Sequence, residues 1–173
     1  MNCHNCESPL DWDGYSPIVV CDLCCAYRFV DTPDDTANRI VSLERPGIAH
    51  CPICRSRTSE AATDGIKVEH CADCHGLLLT DDTFDMYVRN RRTEFREAAL
   101  QSVNLVDEQL TPNVHCPSCR RQMDVHPCYG PNFLIVDTCT GCGMVWLDCS
   151  ETELACQLTP SESLLSSESI QPA

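Results

Sequence analysis

Lysine is almost missing from this chain of 173 residues. Lys67 stands alone, and arginine supplies the other eleven of the twelve basic side chains. Against them stand 26 Asp and Glu, for a formal charge of -14. A protein that holds DNA or RNA by neutralising many phosphates needs the opposite balance, so nucleic acid is a disfavoured partner. Aromatic residues are scarce too, at 6 % (two Trp, four Tyr, four Phe), which argues against a large conventional core. No apolar run approaches the roughly 18 residues of a membrane helix. Met1-Asn2-Cys3-His4-Asn5-Cys6 has neither a basic region nor an apolar stretch, so no secretory signal is readable there. Membrane spanning and classical secretion are set aside, and a cytoplasmic location is expected. No nucleophile–base constellation or phosphate loop stands out, so no enzymatic activity is expected either.

What the chain has in excess is cysteine, sixteen residues or about 9 %. In a reducing compartment that content points to metal before disulfides. Twelve of the sixteen form C-x-x-C pairs: Cys3/Cys6, Cys21/Cys24, Cys51/Cys54, Cys71/Cys74, Cys116/Cys119 and Cys139/Cys142. The pairs group in twos, with 14, 16 and 19 residues between the inner cysteines. Two residues between cysteines let both sulfurs of one tight turn reach one ion, and two such knuckles 12 to 20 residues apart complete a four-thiolate site. For the second knuckle to return to the same ion the chain must double back. Each spacer carries the signal for that: Asp13-Gly14, Asp64-Gly65 and Tyr129-Gly130-Pro131 as turns. Ile18-Val19-Val20, Ile66-Lys67-Val68 and Phe133-Leu134-Ile135-Val136 then read as strands entering the second knuckles. A single C-x-x-C can be a redox dithiol, but six pairs with hairpin spacers do not have that form. Four thiolates also suit a rubredoxin-like iron site; the expected cofactor is Zn2+, one ion per ribbon.

The predicted fold class is a small, metal-dominated α+β chain of three tandem four-cysteine zinc ribbons, each a β-hairpin with two knuckles. Helices are expected after the second and third. The ribbons fall at 1–31, 48–80 and 114–148, with linkers at 32–47 and 104–113. The middle of the first linker, Ile40-Val41-Ser42-Leu43, could add a short strand. The helices are predicted at 81–103 and 149–158, and the Ser- and Glu-rich segment 159–173 reads as a disordered tail.

The second and third ribbons are internal repeats. His50-Cys51-Pro52-Ile53-Cys54-Arg55 matches His115-Cys116-Pro117-Ser118-Cys119-Arg120. Cys74-His75-Gly76-Leu77-Leu78-Leu79 matches Cys142-Gly143-Met144-Val145-Trp146-Leu147. Ser150 and Glu153 form a capping box for the last helix, with Asp82 and Asp85 in the equivalent places of the earlier one. On these residues the chain resembles the transcription-factor-IIB-type zinc ribbons, whose pattern is C-P-x-C, a hairpin, then C-x-x-C-G-G-x-W-L-D and a short helix. The third repeat departs only at Met144, which takes the place of the second Gly. The second departs at His75, Leu78 and Thr80. Residues 1–31 keep only the four cysteines and are a generic ribbon. The resemblance, over roughly 50–90 and 115–158, implies fold and metal rather than activity.

The remaining chemistry-bearing residues have plain readings. Cys25 beside Cys24 reads as a packed thiol or a substitute ligand. Cys149 and Cys156 read as one face of a helix, with a fourth site conceivable together with Cys128. His50, His70 and His115 each precede a knuckle cysteine, and Trp12 and Trp146 read as packing residues. Arg89, Arg91, Arg92 and Arg96 on the long helix read either as a solvated face paired with Asp85, Glu94 and Glu97, or as a basic patch joined by Arg55, Arg57, Arg120 and Arg121. The functional expectation is an adaptor that binds another protein. A transcription-associated or nucleic-acid-binding factor, and a zinc buffer or thiol sensor, are the alternatives.

Overall fold

The computed structural model describes residues 1–37, 39–94, 114–128 and 134–148. The predicted helix beyond Glu94, the linker at 104–113, the turn at Tyr129-Gly130-Pro131, the helix at 149–158 and the tail lie outside these residues. Two antiparallel strands, β1 (Ile18–Val20) and β2 (Tyr27–Phe29), make a small first sheet. The other strands are β3 (Val41–His50), β4 (Arg57–Thr63), β5 (Ile66–His70), β6 (Leu77–Thr80), β7 (Asp124–Cys128), β8 (Leu134–Cys139) and β9 (Met144–Leu147). They form one seven-stranded sheet in the order β3-β4-β5-β6-β9-β8-β7. Between β6 and β7 lies α1 (Asp81–Glu94), the one helix among the described residues.

The hairpin turns form where their residues require them. Asp64 (φ 50) and Gly65 (φ 72) link the paired Thr63 and Ile66, the two positive φ values of a type I′ turn. At Gly14 (φ 83), the Asp13 carboxylate accepts the N–H groups of Tyr15 and Ser16, both at 2.9 Å. Those bonds hold the Asp13 carboxyl below its ordinary range.

The second and third ribbons are fused by their equivalent strands. β6 pairs antiparallel with β9 in the register Leu77↔Leu147, Leu78↔Trp146 and Leu79↔Val145. Leu78 and Trp146 are the same position of the two repeats, so a local two-fold relation runs through this pair. Both strands are buried on both faces, as the central strands of a sheet must be. With period two, Leu77, Leu79, Val145 and Leu147 turn to the side where Ile66, Val68, Val136 and Tyr87 of α1 complete one core. Leu78 and Trp146 turn to the other, among Val114, Met123 and the ligand cysteines Cys51, Cys71, Cys116 and Cys139.

The two-fold relation also explains the repeat's departures from its pattern. Gly76 lies under the Trp146 ring, where an added Cβ would meet the indole at 2.3 Å and the Leu147 carbonyl at 2.8 Å. The same symmetry sets Met144 beside Leu78, so a small residue meets a large one on each side. Gly76→Ala is therefore expected to cost about 1–3 kcal/mol by overpacking, read as a lower denaturant midpoint in the zinc-loaded protein. The double variant Gly76→Ala/Trp146→Leu should lose less than the sum of the two single changes, because the smaller side chain makes room for the added methyl. A Gly76→Ala protein as stable as the parent would contradict the packing.

The segment predicted as a linker at 32–47 is mostly structural. Its second half is β3, the edge of the large sheet, bulged where Glu69 accepts the N–H groups of Ile48 and Ala49 at 3.2 Å. Its first half holds the first ribbon against the second. Thr36, fully buried, accepts the Gly65 N–H at 2.8 Å and, through its carbonyl, the Asp64 N–H at 2.7 Å. Phe29 N–H reaches the Gly65 carbonyl at 2.8 Å, and Lys67 pairs with Asp31.

The helix adds a second clamp. Asn90 accepts the Tyr27 N–H at 2.7 Å and donates to the carbonyls of Tyr27 at 2.8 Å and Asp64 at 3.0 Å. Its side chain takes the place of a neighbouring strand for β2. Arg91, 6 % exposed, binds Asp64, 4 % exposed, at 2.7 Å. Arg89 donates to the Tyr27 hydroxyl at 3.1 Å. Arg91 is thus an internal contact, neither a solvated face nor part of a basic patch, because the docked first ribbon covers it; Arg89 stays exposed at the edge of that contact, and the side chains of Arg92 and Arg96 lie outside those described. The helix cap differs as well. Thr80, at the end of β6, accepts the Thr83 N–H at 3.3 Å and is the N-cap, while Asp81 and Asp82 occupy the first turn, where acidic side chains suit the helix dipole.

Candidate metal centres

The twelve paired cysteines come together as the spacing predicts. Cys3, Cys6, Cys21 and Cys24 form one cluster, Cys51, Cys54, Cys71 and Cys74 a second, and Cys116, Cys119, Cys139 and Cys142 a third. Within each, all sulfurs lie within 4.8 Å of one another. The closest cross-hairpin pairs, Cys3–Cys24, Cys6–Cys21, Cys54–Cys71 and Cys119–Cys139, are all 3.5 Å apart. A disulfide would require about 2.05 Å. A tetrahedral ion with Zn–S bonds of about 2.3 Å places its sulfurs about 3.8 Å apart, so the clusters fit Zn2+. All four positions of each site are thiolate, the composition of a closed structural centre.

Six copies of one backbone device build these sites. In every knuckle the residue after the second cysteine turns left-handed, with φ from 58 to 65 at Glu7, Cys25, Arg55, His75, Arg120 and Gly143. Its N–H bonds the carbonyl of the first cysteine at 2.8–3.0 Å in all six. The first cysteine is buried each time, and N–H groups inside the turn point at its sulfur, as Ile53 and Cys54 do at Cys51 (3.4 and 3.5 Å). Only one of the six left-handed residues is glycine; the first Gly of the family pattern is this position, and His75 fills it in the second ribbon. An L side chain there costs about 1 kcal/mol. Glu7→Gly is expected to stabilise the zinc-loaded first ribbon by about that amount, followed by Trp12 fluorescence during unfolding. An unchanged or lower midpoint would count against this strain.

Hydroxyls were not foreseen in the sequence. Ser8 Oγ lies 3.1 Å from both Cys6 and Cys21 sulfurs. Ser56, spaced identically after Cys54, draws that thiol down to about 6. The repeated C-x-x-C-x-S was the available signal. Protons are shared unevenly as a result. Cys74, hydrogen-bonded to Cys54, is pushed up to about 12, and Cys142, hydrogen-bonded to Cys119, likewise. Burial does the same to Cys3. Four thiolates therefore coexist only around a cation, and loading a site must expel protons.

The leftover residues divide. Cys25 is exposed rather than packed and lies outside the first cluster. Cys149 and Cys156 lie outside the described residues, and of Cys128 only its place in β7 is described. His70 stacks on His75 with ring centroids 5.9 Å apart. Trp146 is fully buried as expected, whereas Trp12 is half-exposed and donates to the Ser16 carbonyl at 2.8 Å.

Residues 50–89, the second ribbon and the start of α1, match a family described as transcription factor zinc-finger. This is the zinc-ribbon family that the motifs resembled. No curated protein and no solved structure gives a significant match to the chain. Among the described residues no helix is long and apolar enough to cross a membrane.

Proposed function

We propose that the chain is a non-enzymatic adaptor that binds another protein through a zinc-ribbon scaffold. The observation that carries this reading is the burial of Arg91 in its ion pair with Asp64, which takes that cation out of any nucleic-acid interface on α1 and leaves Arg89 as the exposed arginine described there. The charge of -14 supports it further, and each loaded four-thiolate site adds -2. Four-thiolate chemistry suits the cytoplasm, where thiols stay reduced.

The second reading is a transcription-associated factor. It is favoured by the description of the matching family and by exposed arginines at 55, 57, 120 and 121. Affinity capture of the tagged zinc-loaded protein from its own lysate, with and without nuclease, separates the two. A stoichiometric protein that survives nuclease is the expected result; partners that vanish with nuclease would overturn the adaptor. The thiol-sensor alternative rests on the thiols outside the three clusters, the exposed Cys25 together with Cys128, Cys149 and Cys156, and an alkylating reagent that leaves all four unmodified in the folded protein would remove it.

A further inference from the structure

A cleft of about 680 Å³ opens between the leading knuckles of the second and third ribbons. It is lined by His50, Cys51, Pro52 and Arg55 from one ribbon and by His115, Cys116, Pro117 and Arg120 from the other. These are the same four positions of the two repeats, and their exposures match pair by pair. Both histidines and both arginines are exposed, both prolines half-buried and both cysteines buried. The volume is that of a ligand site rather than of a single ion.

The arginines are the feature that asks for an occupant. Arg28, Arg39, Arg45 and Arg91 each hold a carboxylate of the chain. Among the described residues Arg55, Arg57, Arg89, Arg120 and Arg121 hold none, and of these Arg55 and Arg120 line the cleft. Each arginine also sits at a backbone position fixed by its knuckle, at φ 65 and φ 62, so the two side chains start from equivalent places on the two walls. Guanidinium forks match carboxylates in a bidentate way. Two such forks on opposite walls select two anionic groups, with the proline rings offering apolar surface between them. The thiolate sites behind the cleft and the net charge of the chain repel a dense polyanion, so one charge per arginine is the better match.

We propose that this cleft recognises an extended acidic segment of a partner protein, one carboxylate on Arg55, one on Arg120 and an apolar residue resting on Pro52 and Pro117. This deepens the adaptor reading and rests on it for the source of the ligand. Because the two walls are repeats, one peptide should seat in either direction along the cleft with similar affinity, which an ordinary peptide groove does not allow.

The test uses the zinc-loaded full chain and fluorescent peptides capped at both ends, each carrying two glutamates at varied spacing around a leucine. The expected result is a spacing optimum and similar losses of about tenfold in Arg55→Gln and in Arg120→Gln, at unchanged zinc content. The proposal is overturned if no spacing binds at about 1 mM, if all spacings bind alike, or if both variants bind as the parent does. It is also overturned if an oligonucleotide of equal charge displaces the peptide, or if the variants lose zinc instead of peptide, since the arginines would then serve the thiolate charge. A nuclease-resistant partner captured equally by the parent and by Arg55→Gln/Arg120→Gln would remove the cleft and leave the adaptor reading intact.

Discussion

Stripping zinc from the folded chain is expected to unfold all three ribbons. Structural zinc contributes about 10–16 kcal/mol of apparent binding free energy in small four-ligand modules, against the roughly 5–15 kcal/mol by which whole proteins are stable. A ribbon of about 30 residues cannot replace that from its own core. The dependence is built into the packing, because ligand cysteines are core members throughout: Cys3 and Cys21 beside Ala26 in the first ribbon, and Cys51, Cys71, Cys116 and Cys139 around Leu78 and Trp146 in the fused pair. The two tryptophans report on separate parts. A strong chelator should red-shift Trp146, fully buried in the seven-stranded sheet, and abolish the sheet's circular dichroism; Trp12 reports the first ribbon. Restored zinc should return both signals and release protons, since the thiols of an unfolded chain, with ordinary values of about 8.5, are mostly protonated at neutral pH. Uptake therefore tightens as pH rises and fails in acid. A fully stripped chain that kept its dichroism would contradict a metal-held fold.

The second large effect is at the junction of the first two ribbons. Asp64→Asn keeps the left-handed turn geometry, which asparagine tolerates, but leaves the Arg91 guanidinium buried without its charge partner. Breaking a buried pair from one side costs about 3–5 kcal/mol. The variant should lose stability by that order and release the first ribbon from the Gly65 turn, seen as faster amide exchange at Phe29 and Tyr27. Replacing both partners, as Asp64→Asn/Arg91→Met, should be far milder than the sum of the single changes, because no stranded charge remains. Additive losses in the double variant would show that the pair does not act as a unit.

The ligand set was legible because its chemistry is written in spacing. Six C-x-x-C pairs, a turn signal between each two, and an apolar strand entering each second knuckle lead directly to the observed clusters. Asp64-Gly65 was legible for the same local reason. What escaped depends on partners distant in sequence. Leu77-Leu78-Leu79 is plainly a buried run, but only the strand beside it says that the cover is β9. Gly76 with Leu78, and Met144 with Trp146, look like separate departures from a pattern until β6 and β9 are paired. Arg91 sits among charged residues on a weakly amphipathic helix, and its partner lies in a hairpin turn 27 positions earlier, so it reads as a surface cation. Residues 32–47 carry Pro, Gly and Asp, the composition of a linker, yet Thr36 and Gly65 need each other's backbone groups.

Native mass spectrometry of the purified protein tests most directly whether one chain holds three closed four-thiolate zinc sites. The expected result is a single folded species carrying three zinc ions. A folded species with fewer than three metal ions, or with iron in their place, would contradict it.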